Sequence, residues 1–140
     1  MKRILGIIVI AILIIFIIII GFNMLNSNKM ALSDVQEVDI YDGIDMKVMS
    51  VSNKSLTIKI TNNTESDIYY DMVYEIQKNI NGKWYKYLNE NDFIESIETI
   101  KSNSYANLDI IYSTVYNLDR GKYRIIKIIN SKILSAEFEI

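Results

Sequence analysis

The stretch LDRGKYR, residues 118–124, sets a glycine before a lysine and flanks the pair with arginines at 120 and 124. Such a group could grip a phosphate. A phosphate loop, however, needs an upstream glycine, a serine or threonine after the lysine, and a helix to follow. Here Lys122 is followed by Tyr123, and residues 122–130 read as a strand. Leucine, glycine and tyrosine at these offsets suit the corner of a β-sandwich, where a tyrosine hydroxyl bonds back to nearby backbone. Gly121 is therefore read as a turn residue, Tyr123 as a corner clamp, and Lys122 and Arg124 as solvent-facing charges.

The aromatic residues offer a second chemistry. Trp84, Tyr85 and Tyr87 fall close together in GKWYKY and cannot all face inward on one regular strand. With Tyr69 on the outer face of its own strand, Tyr69, Trp84, Tyr85 and Tyr87 form a candidate interaction surface for a glycan or a protein. Core packing of Trp84 and cross-strand pairing of the tyrosines compete with that reading. The carboxylates, scattered from Asp39 to Glu98, have no EF-hand spacing and read as a solvated surface. The chain has no cysteine and no histidine, which excludes disulfides, thiolate metal sites and Cys or His catalysis. Its net charge of −2 disfavours a nucleic-acid surface. No catalytic, cofactor or metal-binding residue is assigned, and no enzyme is expected.

Those residues need a setting, which the N-terminus supplies. Lys2 and Arg3 precede an uncharged apolar run over residues 4–22. As a helix the run spans roughly 28 Å at about 1.5 Å per residue, close to the hydrocarbon thickness of a bilayer. A cleaved signal peptide is the competing reading, but its apolar region would be shorter and followed by small residues at the cleavage site. The positive-inside bias puts residues 1–3 in the cytoplasm, with residues 4–22 as the transmembrane anchor. A tether over 23–34 and a domain over 35–140 follow outside.

That domain alternates with period two. Leu56, Ile58 and Ile60 share one face of SLTIKITN; Leu108, Ile110 and Tyr112 share one face of YANLDIIY. Ile68 through Gln77 read as a single strand, and VDIYD, 38–42, as another. The apolar phase slips between Val48 and Met49, which predicts a bulge. Residues 89–104 carry near-helical spacing and predict a short helical turn or crossover. About seven strands separated by Asn- and Gly-rich turns fit an all-β, antiparallel two-sheet sandwich.

The second half adds a recognisable pattern: TIKITNN, then NGKWY, then Leu118 with Gly121–Arg124, then AEFEI at the end. Over about residues 45–140 it resembles the bacterial immunoglobulin-like domains of small exported or membrane-anchored Gram-positive proteins. Asp119 and Arg120 stand where that family carries proline before the glycine, and Lys101, Ser102 and Asn103 replace a proline turn. The resemblance implies an Ig-like sandwich and no defined catalytic residues. The expectation is a single-pass bacterial envelope protein, with the bilayer as one partner and an envelope protein or glycan as another. A ligand- or glycan-binding subunit of a membrane enzyme is the alternative.

Overall fold

The computed structural model describes residues 12–15, 29–88 and 96–140. Residues 12–15 are helical, and the rest of the anchor expected at 4–22 lies outside the described residues. Among the described residues no helix is long and apolar enough to cross a membrane.

Ten strands follow in chain order: β1 (Met30–Leu32), β2 (Ile44–Val51), β3 (Ser55–Asn62), β4 (Ile68–Asp71) and β5 (Glu75–Ile80). They continue with β6 (Lys83–Tyr87), β7 (Ile97–Ile100), β8 (Ser104–Ile111), β9 (Lys122–Ile129) and β10 (Lys132–Glu139). All pairings are antiparallel. The smaller sheet has the order β2-β3-β8, and the other seven strands form the larger one. The inward residues predicted for β3, β8 and β10 are the buried ones: Ile58 and Ile60, Leu108 and Ile110, Ala136 and Phe138. Burying each large aliphatic side chain contributes roughly 1.5–3 kcal/mol, the dominant favourable contribution to a sandwich.

The sequence predicts fewer strands than the fold contains, for physical reasons that can be located. The run from Ile68 to Gln77 is not one strand. β10 occupies one flank of β9 along its whole length, so β4 and β5 must share the other flank. Tyr70 pairs with Ile129 and Glu75 with Ile126, which leaves the β4–β5 strand two residues longer than the stretch of β9 it faces. The excess bulges out at residues 72–74, and beyond it the neighbour changes from β6 to β7. Residues 97–100 are accordingly a strand on β4, not a helical turn; residues 89–95 lie outside the described residues. Residues 30–32, expected within the tether, pair with β6. Residues 38–42 form no strand, because their backbone passes the free edge of β10 and pairs there only at Asp39, whose N–H donates to Ile133 O at 2.8 Å.

Turn chemistry behaves as its residues dictate. Asn81 and Gly82 both take positive φ between β5 and β6, as do Asn130 and Ser131 between β9 and β10, the requirement of a type I′ hairpin. The pairing of β2 with β3 shifts register between Val48 and Ser50, where the apolar phase slips. Asn62 is fully buried and organises the 62–67 loop. Its Nδ2 donates to Ser66 O, Ile100 O and Lys101 O, while its Oδ1 accepts from the N–H and Oγ1 of Thr64.

Tyrosines clamp the opposite end. The Tyr112 hydroxyl donates to Ser52 O. The Tyr123 hydroxyl, its ring fully buried, donates to Asp119 O and Asp119 Oδ1, both at 2.8 Å. Burial and these bonds push its pKa well above the usual range. Gly121 does not take positive φ. Its N–H and C=O instead exchange bonds with Ile140, and an added Cβ would sit 3.0 Å from Lys78 Cε. The approach is tight, but the atom it meets is near the free end of the Lys78 side chain, and no left-handed turn conformation calls for glycine here. Replacing Tyr123 by Phe keeps the ring and deletes both bonds. The expected cost is about 1–2 kcal/mol, read as a lower urea midpoint at unchanged slope; an unmoved midpoint would remove the clamp from the account.

Candidate functional site

The four aromatics of the predicted interaction surface are not brought together. Tyr69 stands on β4, half exposed, on the outer face of the larger sheet. Tyr87 points the other way from β6 into the core, where its ring meets Tyr116 edge-on at 5.3 Å. Tyr85 is half-buried on the same strand. Trp84 faces outward but is only 8% exposed, since a segment of the chain lies over it. Alternation along β6 places Trp84 and Tyr87 on opposite faces, so no continuous patch can form.

The covering segment is residues 33–39, which leave β1 and run across the outer face of β6, β5, β9 and β10. Arg124 is its main fastening. The guanidinium is 3% exposed, against the solvent-facing position its alternation predicts. Its Nε donates to Gln77 Oε1 at 2.8 Å, one terminal nitrogen to Val35 O at 2.6 Å and the other to Gln36 O at 3.3 Å. The plane stacks 4.3 Å from the centre of the Trp84 ring, a contact suited to a delocalised cation. Gln36 closes the arrangement: its Nε2 donates to Trp84 O and its Oε1 accepts from the Trp84 N–H. The fully buried Gln77 amide donates to Ser33 Oγ at 2.6 Å. Nothing in the alternation of β5 or β9 announces this strap; its signal would be a polar Ser-x-x-Gln segment ahead of the first strand of the smaller sheet.

The second polar feature is one that sequence reasoning missed. Lys127 sits on the core face of β9, in phase with Tyr123, Ile125 and Ile129, and is 1% exposed. Its signal was a lysine at an inward position of KYRIIKII. The ammonium donates to Asp71 O at 2.7 Å and Val73 O at 2.9 Å, the carbonyls released where β4 breaks from β5. It also lies 5.4 Å from the centre of the Tyr70 ring. Burial pushes its pKa down to about 8, opposed by the nearby Asp71 carboxylate. Lys127, its side chain fully buried, borders a cleft of about 600 Å³ between the sheets, walled by Tyr70, Met72, Tyr74, Leu108 and Ile110 and rimmed by Glu98 and Asp109. A third N–H of the ammonium has no partner among the described residues. Tyr74, deep in this wall, has its hydroxyl pKa pushed up to about 12, mainly by burial. Among the described residues no three carboxylates gather where they could hold a metal ion.

A family model described as Bacterial Ig-like domain matches residues 36–139. The chain belongs to the bacterial Ig-like domain family. The match begins inside the strap and ends at the last strand, so it takes in both sheets. No curated protein matches the chain. Among solved structures the chain is similar to the Pseudomonas fluorescens alkylpurine DNA glycosylase AlkC bound to DNA containing an abasic site analog, at 14% identity and a TM-score of 0.39. That likeness covers 71% of this chain and 31% of the glycosylase, so the chain spans well under half of that protein's length.

Two outcomes follow for this Ig-like domain. Arg124→Met strips donors from Gln77 Oε1, Val35 O and Gln36 O, and is expected to destabilise the domain by about 2–4 kcal/mol. Proteolysis within residues 33–39 should accelerate with it; an intact strap would show that Arg124 is not its fastening. For Lys127 the folded pKa lies below the unfolded value. Below pH 8 both states carry the proton and the burial penalty is fully present. Between pH 8 and 10 the unfolded chain keeps a proton that the folded chain releases. Wild-type stability should therefore rise with pH relative to Lys127→Met, with a slope of up to about 1.4 kcal/mol per pH unit. A constant difference between the two proteins across that window would contradict the assignment.

Proposed function

We propose that the protein is a non-enzymatic, single-pass membrane-anchored module that presents its Ig-like sandwich on the outer face of a bacterial cell. It offers a sheet edge or loops to another component of the envelope. The observation that carries this reading is the uncharged run over residues 4–22, preceded by Lys2 and Arg3 and with Lys29 as the first cation after it. A helix of that length matches the bilayer core, and the charge bias keeps the N-terminus inside.

The strap supports the same reading in mechanical terms. A domain hung from an N-terminal anchor is loaded where the chain enters it. Here the entering chain is held by the β1–β6 pairing and by the buried bonds of Arg124, Gln77 and Gln36. Such a fastening transmits force into the sheet without peeling the first strand of the smaller sheet. The sandwich is packed from side chains rather than built around a converging catalytic set, which suits adhesion or scaffolding better than turnover. Family membership fits it as well, although one fold serves many roles.

The absence of cysteine makes the orientation directly testable. A single cysteine replacing exposed Lys54, in the turn between β2 and β3, should react with a membrane-impermeant maleimide on intact cells. A cysteine replacing Lys2 should react only after lysis. The labelled chain should keep the full-length mass if the anchor is not cleaved. Labelling of the Lys2 position on intact cells together with protection of the Lys54 position would sink the reading.

A further inference from the structure

We infer that the free edge of β8 accepts an extended peptide of an envelope partner as an added strand, with the peptide's inward side chains filling the cleft above Lys127. The inference deepens the proposed interaction role and rests on it only for the partner's location.

Backbone pairing supplies the first argument. The Tyr112 N–H donates to Lys54 O, so even-numbered residues of β8 direct their N–H and C=O at β3. By the alternation of an antiparallel ladder, Tyr105, Asn107 and Asp109 direct theirs away from it. Among the described residues no strand pairs with β8 on that side. The pairing with β3 runs without a register shift over all eight residues, so the edge is long and regular.

Natural sheets usually protect such an edge with lysine, proline, a bulge or a covering segment. The other edges here conform. β2 carries a bulge and Lys47, β10 is crossed at Ile133 by Asp39, and β1 and β7 are short. β8 carries no lysine, proline or bulge, and among the described residues it is covered only toward Tyr112. Its one charge, Asp109, accepts from Thr57 Oγ1 at 2.7 Å, and the Tyr105 ring lies under Lys59 at 4.1 Å. Both contacts draw side chains toward β3 and leave the free flank clear.

The cleft supplies the occupant's chemistry. Five consecutive residues of β8, 107–111, line it. Toward the Tyr112 end, the space beside β8 is filled by the connection to β9, whose Tyr116 packs on Tyr87 and Tyr74. Among the described residues, no strand occupies the remaining part, over β4. A strand placed there would project alternate side chains onto Tyr70, Leu108 and Ile110, which calls for small or medium apolar residues. Outward lysines would meet Asp109 and Glu98 at the rim. Main-chain bonds would give the affinity and these pockets the register.

The test uses the full-length chain in detergent micelles and the peptide Lys-Val-Lys-Val-Lys-Val-Lys-Val. The amides of Asn107 and Asp109 should exchange rapidly in the free protein and at least tenfold more slowly at saturating peptide. A peptide of the same residues with the alternation scrambled should slow neither. Asn107→Pro removes an outward N–H while keeping the bonds to β3, and should abolish binding with the melting temperature preserved. Amides already protected in the free chain, or undiminished binding to a folded Asn107→Pro protein, would overturn the inference. Failure here with correct surface labelling would remove the edge site and leave the anchored module standing.

Discussion

The Lys127 ammonium holds the carbonyls of Asp71 and Val73 where the strand containing β4 and β5 carries two residues more than β9. The surrounding architecture depends on that contact. The bulge releases two backbone acceptors into the interior, and a buried acceptor left unpaired costs about 1–3 kcal/mol. A charged amine answers both at once, at the expense of its own desolvation. The depressed pKa registers that expense. An apolar residue at 127 would avoid it but leave both carbonyls unpaired, so neither solution is free of strain. The bulge also separates β6 from β7 as neighbours and opens the cleft over which β8 stands uncovered.

A similar trade governs the outer face. Arg124 is buried against three oxygens and the Trp84 ring, none of them a carboxylate. Desolvation lowers its pKa, and the fields of Glu137 and Glu75 act against that shift. A guanidinium tolerates such a site because its donors lie in one plane and it is weakly hydrated. The arrangement converts a face that would be solvated into a seat for the entering chain. Polar residues that look like surface residues thus perform the work of a second, thin core layer.

This division explains what could be read from the chain alone. Period-two alternation located β3, β8 and β10, because one face of each is buried against the opposite sheet; β9, buried on both faces over most of its length, shows no such alternation. The alternation also located the bulge in β2 by a phase slip of the same pattern. The motif Leu118–Arg124 pointed to the corner, and Tyr123 forms the bonds a corner requires, while Gly121 does not take the positive φ expected of a turn glycine. Arg124 and Gln77 escaped because alternation reports which face a side chain takes and says nothing of whether another segment later covers that face. The break between β4 and β5 escaped for a related reason. A two-residue excess preserves parity, so Ile68, Tyr70 and Ile76 remain in phase across it and the interruption is silent. The predicted aromatic surface failed on parity of the opposite kind, with Trp84 and Tyr87 an odd number of residues apart.

The unequal widths of the sheets tie these features together. The smaller sheet has three strands, whereas the larger is effectively four or five across once β4 with β5, and β6 with β7, are counted as continuous rows. A narrower sheet cannot cover a wider one, and inward residues near β6 and β4 need another roof. At one end the chain provides it: Tyr116 is buried, with Val115 and Leu118 packed against the core. At the other end the roof among the described residues is thinner, and Met72 is 43% exposed beside the cleft. A cleft walled by Tyr70, Leu108 and Ile110 is a poor place to leave to water, since little of its surface can be hydrated. The most economical completion is another strand, because it would satisfy the outward groups of β8 and the cleft in a single element. Among the described residues, the same bulge that required Lys127 thereby leaves β8 without a neighbour over the cleft.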